Sequence, residues 1–164
     1  IRYLEQNIIM VTTPTWIYKG KVITEISDMP ENTFGFIYEV THLPTGKKYL
    51  GKKQLISVQK KALGKKELAE QPVTRGRTST TKQIIKESDW KTYYGSAKPI
   101  LELIKLGKQK DFDRKILCVV SNKKLLTYYE CKYLFQLGVL ENSNDWINDN
   151  ILGKFFRKDF VPQD

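Results

Sequence analysis

Aromatic and β-branched side chains alternate with small and charged ones through FGFIYEVTHLPTGKKYLGKK, residues 34–53. A period of two in that composition predicts strands, one over 34–41 and a return strand over 47–53. The turn between them, His42-Leu43-Pro44-Thr45-Gly46, supplies Pro and Gly where the chain must reverse. Further along, the period lengthens to that of a helix. Ile100, Leu101, Leu103, Ile104 and Leu106 share one apolar face, with Ser96 as the expected cap and Gly107 as the stop. FDRKILCVV over 112–120 reads as a strand. Asn122 then caps a longer predicted helix through Leu137, whose apolar positions include Leu125, Leu126, Tyr129, Tyr133 and Leu134.

Two regions fit this frame less directly. Residues 14–33 read as a small hairpin, with Tyr18 and Val22 flanking a Lys-Gly-Lys turn and Pro30 closing the segment. Residues 1–33 are therefore expected to form an N-terminal extension whose hairpin covers one edge of the sheet, and 34–164 the main domain. Residues 54–89 carry eight Lys/Arg and few apolar residues. They are expected to form a basic insertion, with a two-turn helix in LGKKELAEQ and an exposed polar loop in TRGRTSTTKQ. Long basic loops of this kind are where function concentrates. The predicted fold is α+β: a small three-stranded antiparallel sheet flanked by helices, with an N-terminal hairpin appendage.

Composition narrows the function. The chain has 164 residues, 40% of them hydrophobic and nine of them tyrosine, enough for one domain with a buried core. A net charge of +10 and a pI near 9.5 favour an anionic partner, nucleic acid first. The basic residues are spread over strands and loops, not along one amphipathic helix, which argues against a membrane surface. No apolar run is long enough for a membrane-spanning helix, and the opening is too polar for a signal peptide. Cys118 and Cys131 sit in apolar surroundings, as buried free thiols of a reduced, cytoplasmic protein would. With His42 as the single histidine, placed in a turn, neither a Ser-His-Asp triad nor a histidine-based zinc site can be built, and no Gly-rich nucleotide loop is present. An adaptor whose basic face meets RNA or acidic proteins remains open.

The residues that carry chemistry lie in the first hairpin. Tyr38 and Tyr49 stand eleven positions apart, one in each strand, and Gly51, Lys52 and Lys53 follow the second. These residues resemble the GIY-YIG nuclease family, with GFIY at 35–38 in place of its first signature and YLG at 49–51 in place of its second. The resemblance extends over about 34–150, through the SAKPILELIKLGK helix, the FDRKIL strand and the LLTYYECKYLF helix in order. It implies that Glu130 binds the metal, Mg²⁺ or Mn²⁺, that Asn148 is the downstream asparagine, and that the substrate is DNA. It is closest in kind to small nucleases of bacteriophages. One departure stands out. The family's arginine, about ten residues past the second tyrosine, is replaced here by Gln59, with Lys60 and Lys61 beside it. Lys52, Lys53, Arg75 and Arg77 are the candidate substitutes. A non-catalytic basic module on the same fold is the alternative.

Phosphodiester hydrolysis needs an activated water and charge stabilisation on the phosphoryl oxygens. Tyr38 is the expected general base. A free phenol has a pKa of about 10, which nearby ammonium groups and a metal-bound water lower. Alternation places Tyr49, Gly51 and Lys53 on one face of the strand and Lys48, Leu50 and Lys52 on the other, so Lys53 has the better claim to the site. Gly51 leaves room for a phosphate. Expected DNA contacts are Lys48, Gly51, Lys52, Arg75, Arg77, Ser96 and Asn148, with the basic tail FFRKDF. Asp89, Asp111, Asp113 and Asp149 are further candidate ligands, with nothing to choose between them. Trp90 is expected in the core. No organic cofactor and no membrane partner are expected.

Overall fold

The computed structural model describes residues 15–71, 76 and 78–160. The first half of the chain forms β1 (Trp16–Tyr18), β2 (Lys21–Ile23), β3 (Gly35–His42), β4 (Lys48–Gln54), β5 (Ile56–Ala62), a short helix α1 (Lys65–Ala69) and β6 (Thr81–Glu87). The second half forms α2 (Lys98–Lys105), β7 (Phe112–Val120), α3 (Lys123–Gln136) and a two-residue pair, β8 (Asn150–Ile151) and β9 (Phe155–Phe156). Arg75 and Arg77 lie outside the described residues, as does most of the opening segment. No helix among the described residues is long and apolar enough to cross a membrane.

The predicted hairpin of β3 and β4 is present, and β7 pairs antiparallel with β3 on its other side. The sheet does not stop there. β1 joins β7 in parallel and β2 joins β1, so the order is β2-β1-β7-β3-β4, five strands where three were expected. The N-terminal hairpin lies at a sheet edge as anticipated, but it is hydrogen-bonded into the sheet. Trp16 explains why. Its ring is buried edge-on against Phe36 and Tyr38, with centroids 4.9 and 5.3 Å away, and its indole N–H donates to the Trp90 carbonyl at 2.7 Å. Trp90 itself is fully buried, as its apolar setting predicted.

Strand alternation sends side chains to two layers. Phe36, Tyr38, Val40, Phe112 and Ile116 pack with Trp16, Trp90 and Ile100 of α2. Ile37, Leu50 and Val120 pack with Leu126 and Leu134 of α3. Asn122 caps α3 as expected, its side-chain oxygen accepting from the Leu125 amide at 2.9 Å. Ser96 does not cap α2. That helix starts at Lys98, with Ala97 at the N-cap and Pro99 in its first turn.

The basic insertion is built on two strands. β5 and β6 pair antiparallel from Ile56↔Glu87 to Ala62↔Thr81, forming a ribbon separate from the main sheet. Its root is tied down by the Ser88 amide on the Leu55 carbonyl, 2.8 Å, and the Leu55 amide on the Phe34 carbonyl, 3.0 Å. The predicted two-turn helix shrinks to the five residues of α1. Cross-strand pairing, which a single stretch of sequence does not display, decides the matter against the weak apolar pattern.

Candidate active site

β4 is the outer strand of the sheet, and the site is built around its rim. Tyr49 points to the α2 side, where its hydroxyl shares a 3.0 Å hydrogen bond with the Ser96 hydroxyl. Lys52 points to the α3 side, where its ammonium lies 3.7 Å from the Glu130 carboxylate and donates to the Thr127 hydroxyl at 3.1 Å. A cavity of about 340 Å³ joins the two sides and is lined by Tyr49, Lys52, Ser96, Glu130, Asn148 and Asp149, among others.

The wall of that cavity comes from the far end of the chain. The Lys48 amide donates to the Asp145 carbonyl at 2.9 Å, and the Ile147 amide to the Lys48 carbonyl at 2.7 Å. Next along, the buried Asn148 side chain accepts from the Leu50 amide at 3.0 Å and donates to the Leu50 carbonyl at 2.9 Å. A side-chain amide thus does what the next residue of a neighbouring strand would do. Its two ends are occupied by backbone, and Asn148 forms part of the cavity wall. Arg157, in the tail, also faces inward and donates to the Trp146 carbonyl at 2.7 Å and to the Asn148 carbonyl.

Tyr38 lies behind Tyr49, 1% exposed, with Tyr93 set edge-on at 6.0 Å and Tyr49 at 6.3 Å between ring centroids. Its register partner is Gly51. A Cβ on Gly51 would stand 2.4 Å from the Tyr38 hydroxyl oxygen, so the glycine of the second signature makes room for the phenol of the first. The space expected to admit a phosphate is filled by that hydroxyl. Gly95, at φ +117°, approaches from the other side, where a Cβ would meet the Tyr49 ring at 3.1 Å.

The electrostatics run opposite to the expected lowering by lysines. Burial pushes the Tyr38 phenol well above its ordinary value, and Tyr49, Tyr93 and Glu130 add to the shift. Burial also raises Tyr49, against the pull of its hydrogen bond with Ser96. Glu130 is raised by burial too, more than the neighbouring Lys52 lowers it.

Lys53 is on the Tyr49 face of β4 but lines a neighbouring groove, with Asp89 and Tyr93. It pairs with Asp89 at 2.5 Å, and its ammonium lies 3.9 Å from the centroid of the Tyr93 ring. The cation beside Glu130 and Tyr49 is therefore Lys52, and Lys48 is paired with Glu39 at 3.2 Å. Of the arginines, Arg114 is buried and donates to the carbonyls of Lys91 and Tyr93 at 2.9 Å each. Three members of this cluster escaped the sequence reading or were left undistinguished by it: Thr127, Tyr93 and Asp149. The aromatic run SDWKTYYG signalled Tyr93, and Asp149 stood among four candidate carboxylates; nothing signalled Thr127.

Against known families, the model described as "Putative endonuclease segE, GIY-YIG domain" matches residues 16–151, from the first strand of the sheet to the wall of the cavity. No curated protein matches the chain, and no solved structure does. The match spans most of the sequence, both tyrosine signatures and the glutamate helix, and the chain belongs to the GIY-YIG endonuclease family.

Proposed function

We propose that the chain hydrolyses phosphodiester bonds in DNA with Mg²⁺ or Mn²⁺ held at Glu130. The observation that carries this reading is the convergence of Tyr49 and Glu130, from opposite faces of the sheet, on one cavity that also holds Lys52. The donor set suits such an ion. Glu130 opens on the cavity with its side chain 17% exposed, Asp149 lines the same space, and no group of three or more His, Cys, Asp or Glu forms a closed cage among the described residues. A cation that keeps several of its own waters needs only one or two carboxylates. When bound, it supplies positive charge that neutralises the scissile phosphate and favours ionised water and phenols.

The chain's own residues divide the remaining work. Tyr49, at the cavity surface and oriented by Ser96, is the phenol that meets the attacking water, and in this reading it takes the proton-accepting role expected of Tyr38. Tyr38 keeps its proton and acts as a positioning residue that fixes Tyr49 and Tyr93 from behind. Lys52 neutralises Glu130 at rest and is within reach of a phosphate in the cavity, as a point charge in place of an arginine fork. Likeness to small bacteriophage nucleases supports a phage-encoded enzyme acting in host cytoplasm.

Nicking of supercoiled plasmid with Mg²⁺ tests the assignment. Glu130→Ala and Tyr49→Phe are each expected to lower kcat at least ~100-fold, the scale of a lost acid–base or charge-stabilising group, with DNA binding kept. Lys52→Ala is expected to lose at least ~10-fold, equivalent to about 1.4 kcal/mol of transition-state stabilisation. Wild-type nicking by Glu130→Ala would sink the proposal. The alternative of a non-catalytic module draws on the described arginines near the site, Arg114 and Arg157, both turned onto backbone carbonyls. It predicts salt-sensitive binding and no nicking with any divalent ion.

A further inference from the structure

The ribbon of β5 and β6 has two different faces. Register puts Ser57↔Lys86, Gln59↔Ile84 and Lys61↔Lys82 on one, and Val58↔Ile85 and Lys60↔Gln83 on the other. The first face turns toward the body of the protein. Ser57, Gln59 and Lys86 line a groove of about 490 Å³ with Lys52, Lys53 and two carboxylates, Glu87 and Asp89. Lys52 also lines the cavity that holds Tyr49 and Glu130, so groove and cavity adjoin at that residue. Cavity and groove thus form one path from Glu130 past Lys52 along the inner face of the ribbon.

The chemistry of that face selects the partner. It is cationic at Lys61, Lys82 and Lys86, with the amide of Gln59 and the hydroxyl of Ser57 between them. Among the described residues Lys61 and Lys86 make no ion pair, and Lys82 is paired with Glu67 of α1. Two antiparallel strands with their side chains fit the major groove of B-DNA, about 12 Å wide. Seven residues at about 3.3 Å each span roughly 23 Å, about two-thirds of a helical turn of DNA. A two-stranded ribbon standing alone has no core to justify its length. Here Val58 and Ile85 are more than half exposed, and the root alone is buried.

We propose that the β5–β6 ribbon lies in the major groove of duplex DNA next to the cut site, with Lys61 and Lys86 on phosphates and Gln59 against base edges, and so sets where the chain cuts. This rests on the nuclease reading, deepens it to a duplex substrate, and is testable without cleavage. Binding of a labelled duplex and the matching single strand is measured with the Glu130→Ala protein, full chain, without divalent ion, over a range of salt. Melting curves confirm that each variant is folded. Lys61→Ala/Lys86→Ala is expected to weaken duplex binding at least ~10-fold at 0.1 M salt and to reduce the slope of log K against log salt by about 2, near 0.9 per phosphate lost. Lys60→Ala/Gln83→Ala, on the outer face, is expected to change binding less than ~3-fold. Gln59→Ala is expected to retain general affinity and to flatten the sequence preference of sites selected from random duplexes. A duplex with 7-deazaguanine, which lacks the major-groove N7 acceptor, is expected to bind more weakly, and a minor-groove ligand is expected not to compete. Equal losses from the two faces, single-stranded DNA bound as tightly as duplex, or displacement by the minor-groove ligand would each overturn the proposal.

Discussion

Glu130 shows what a buried carboxyl does to the fold that carries it. Its carboxyl is raised by burial, so the folded chain holds a proton there more tightly than the unfolded chain does. This group therefore favours folding below its unfolded pKa, and that contribution is lost as pH rises through the folded pKa. At neutral pH the ionised carboxylate opposes folding. Glu130→Gln is expected to abolish nicking and to raise Tm at pH 7 by roughly 1–3 °C, a gain under about 1 kcal/mol for a chain of this size. The gain should vanish at acid pH, where wild type is protonated, and melting curves at both pH values check this. At this scale the sequence was informative about identity and less so about partnership. Tyr38, Tyr49 and Glu130 were legible from the signatures and the helix that follows. Alternation also assigned Lys52 and Lys53 to opposite faces. It could not reveal that the site wraps round the rim of the sheet, which brings the lysine of the opposite face, Lys52, to Tyr49.

Among the elements, β4 depends most on a residue outside it. Its outer amide and carbonyl at Leu50 are satisfied by Asn148, not by another strand. Asn148→Ala leaves two buried backbone groups unpaired. It is expected to destabilise the chain by about 2–4 kcal/mol in urea unfolding, since each such group costs about 1–3 kcal/mol in part relieved by water. Nicking should fall with it, because Asp149 and the cavity wall follow Asn148. β3, β4, β7, α2 and α3 were legible because each spans seven or more residues. The ribbon was not. Its inner face is polar, its outer face is an exposed mixture, and the ladder that holds it depends on residues some 25 positions apart in sequence, as at Ser57↔Lys86 and Gln59↔Ile84.

For the molecule as a whole, the first hairpin is the informative surprise. Three-residue strands are too short to show a period, so the sequence could place β1 and β2 near the sheet but not within it. The buried Trp16 ties them to Phe36, Tyr38 and the Trp90 carbonyl. Trp16→Ala is expected to destabilise the chain by about 3–5 kcal/mol, the range for emptying a large aromatic site. An independent appendage would unfold separately and leave the main transition in place. A single transition, shifted as a whole in urea unfolding, is the expected result.

The Asn148 clamp also bears on when the candidate site is completed. It joins residues 98 positions apart, so β3 and β4 emerge from the ribosome long before the segment that completes the cavity. Contacts of such separation form only after the large loss of chain freedom that loop closure demands, and they are late events in folding. A nascent or truncated chain that stops short of residue 148 holds both signature tyrosines yet lacks the wall of the cavity. Synthesis itself thus delays completion of the cavity until residue 148 has been made.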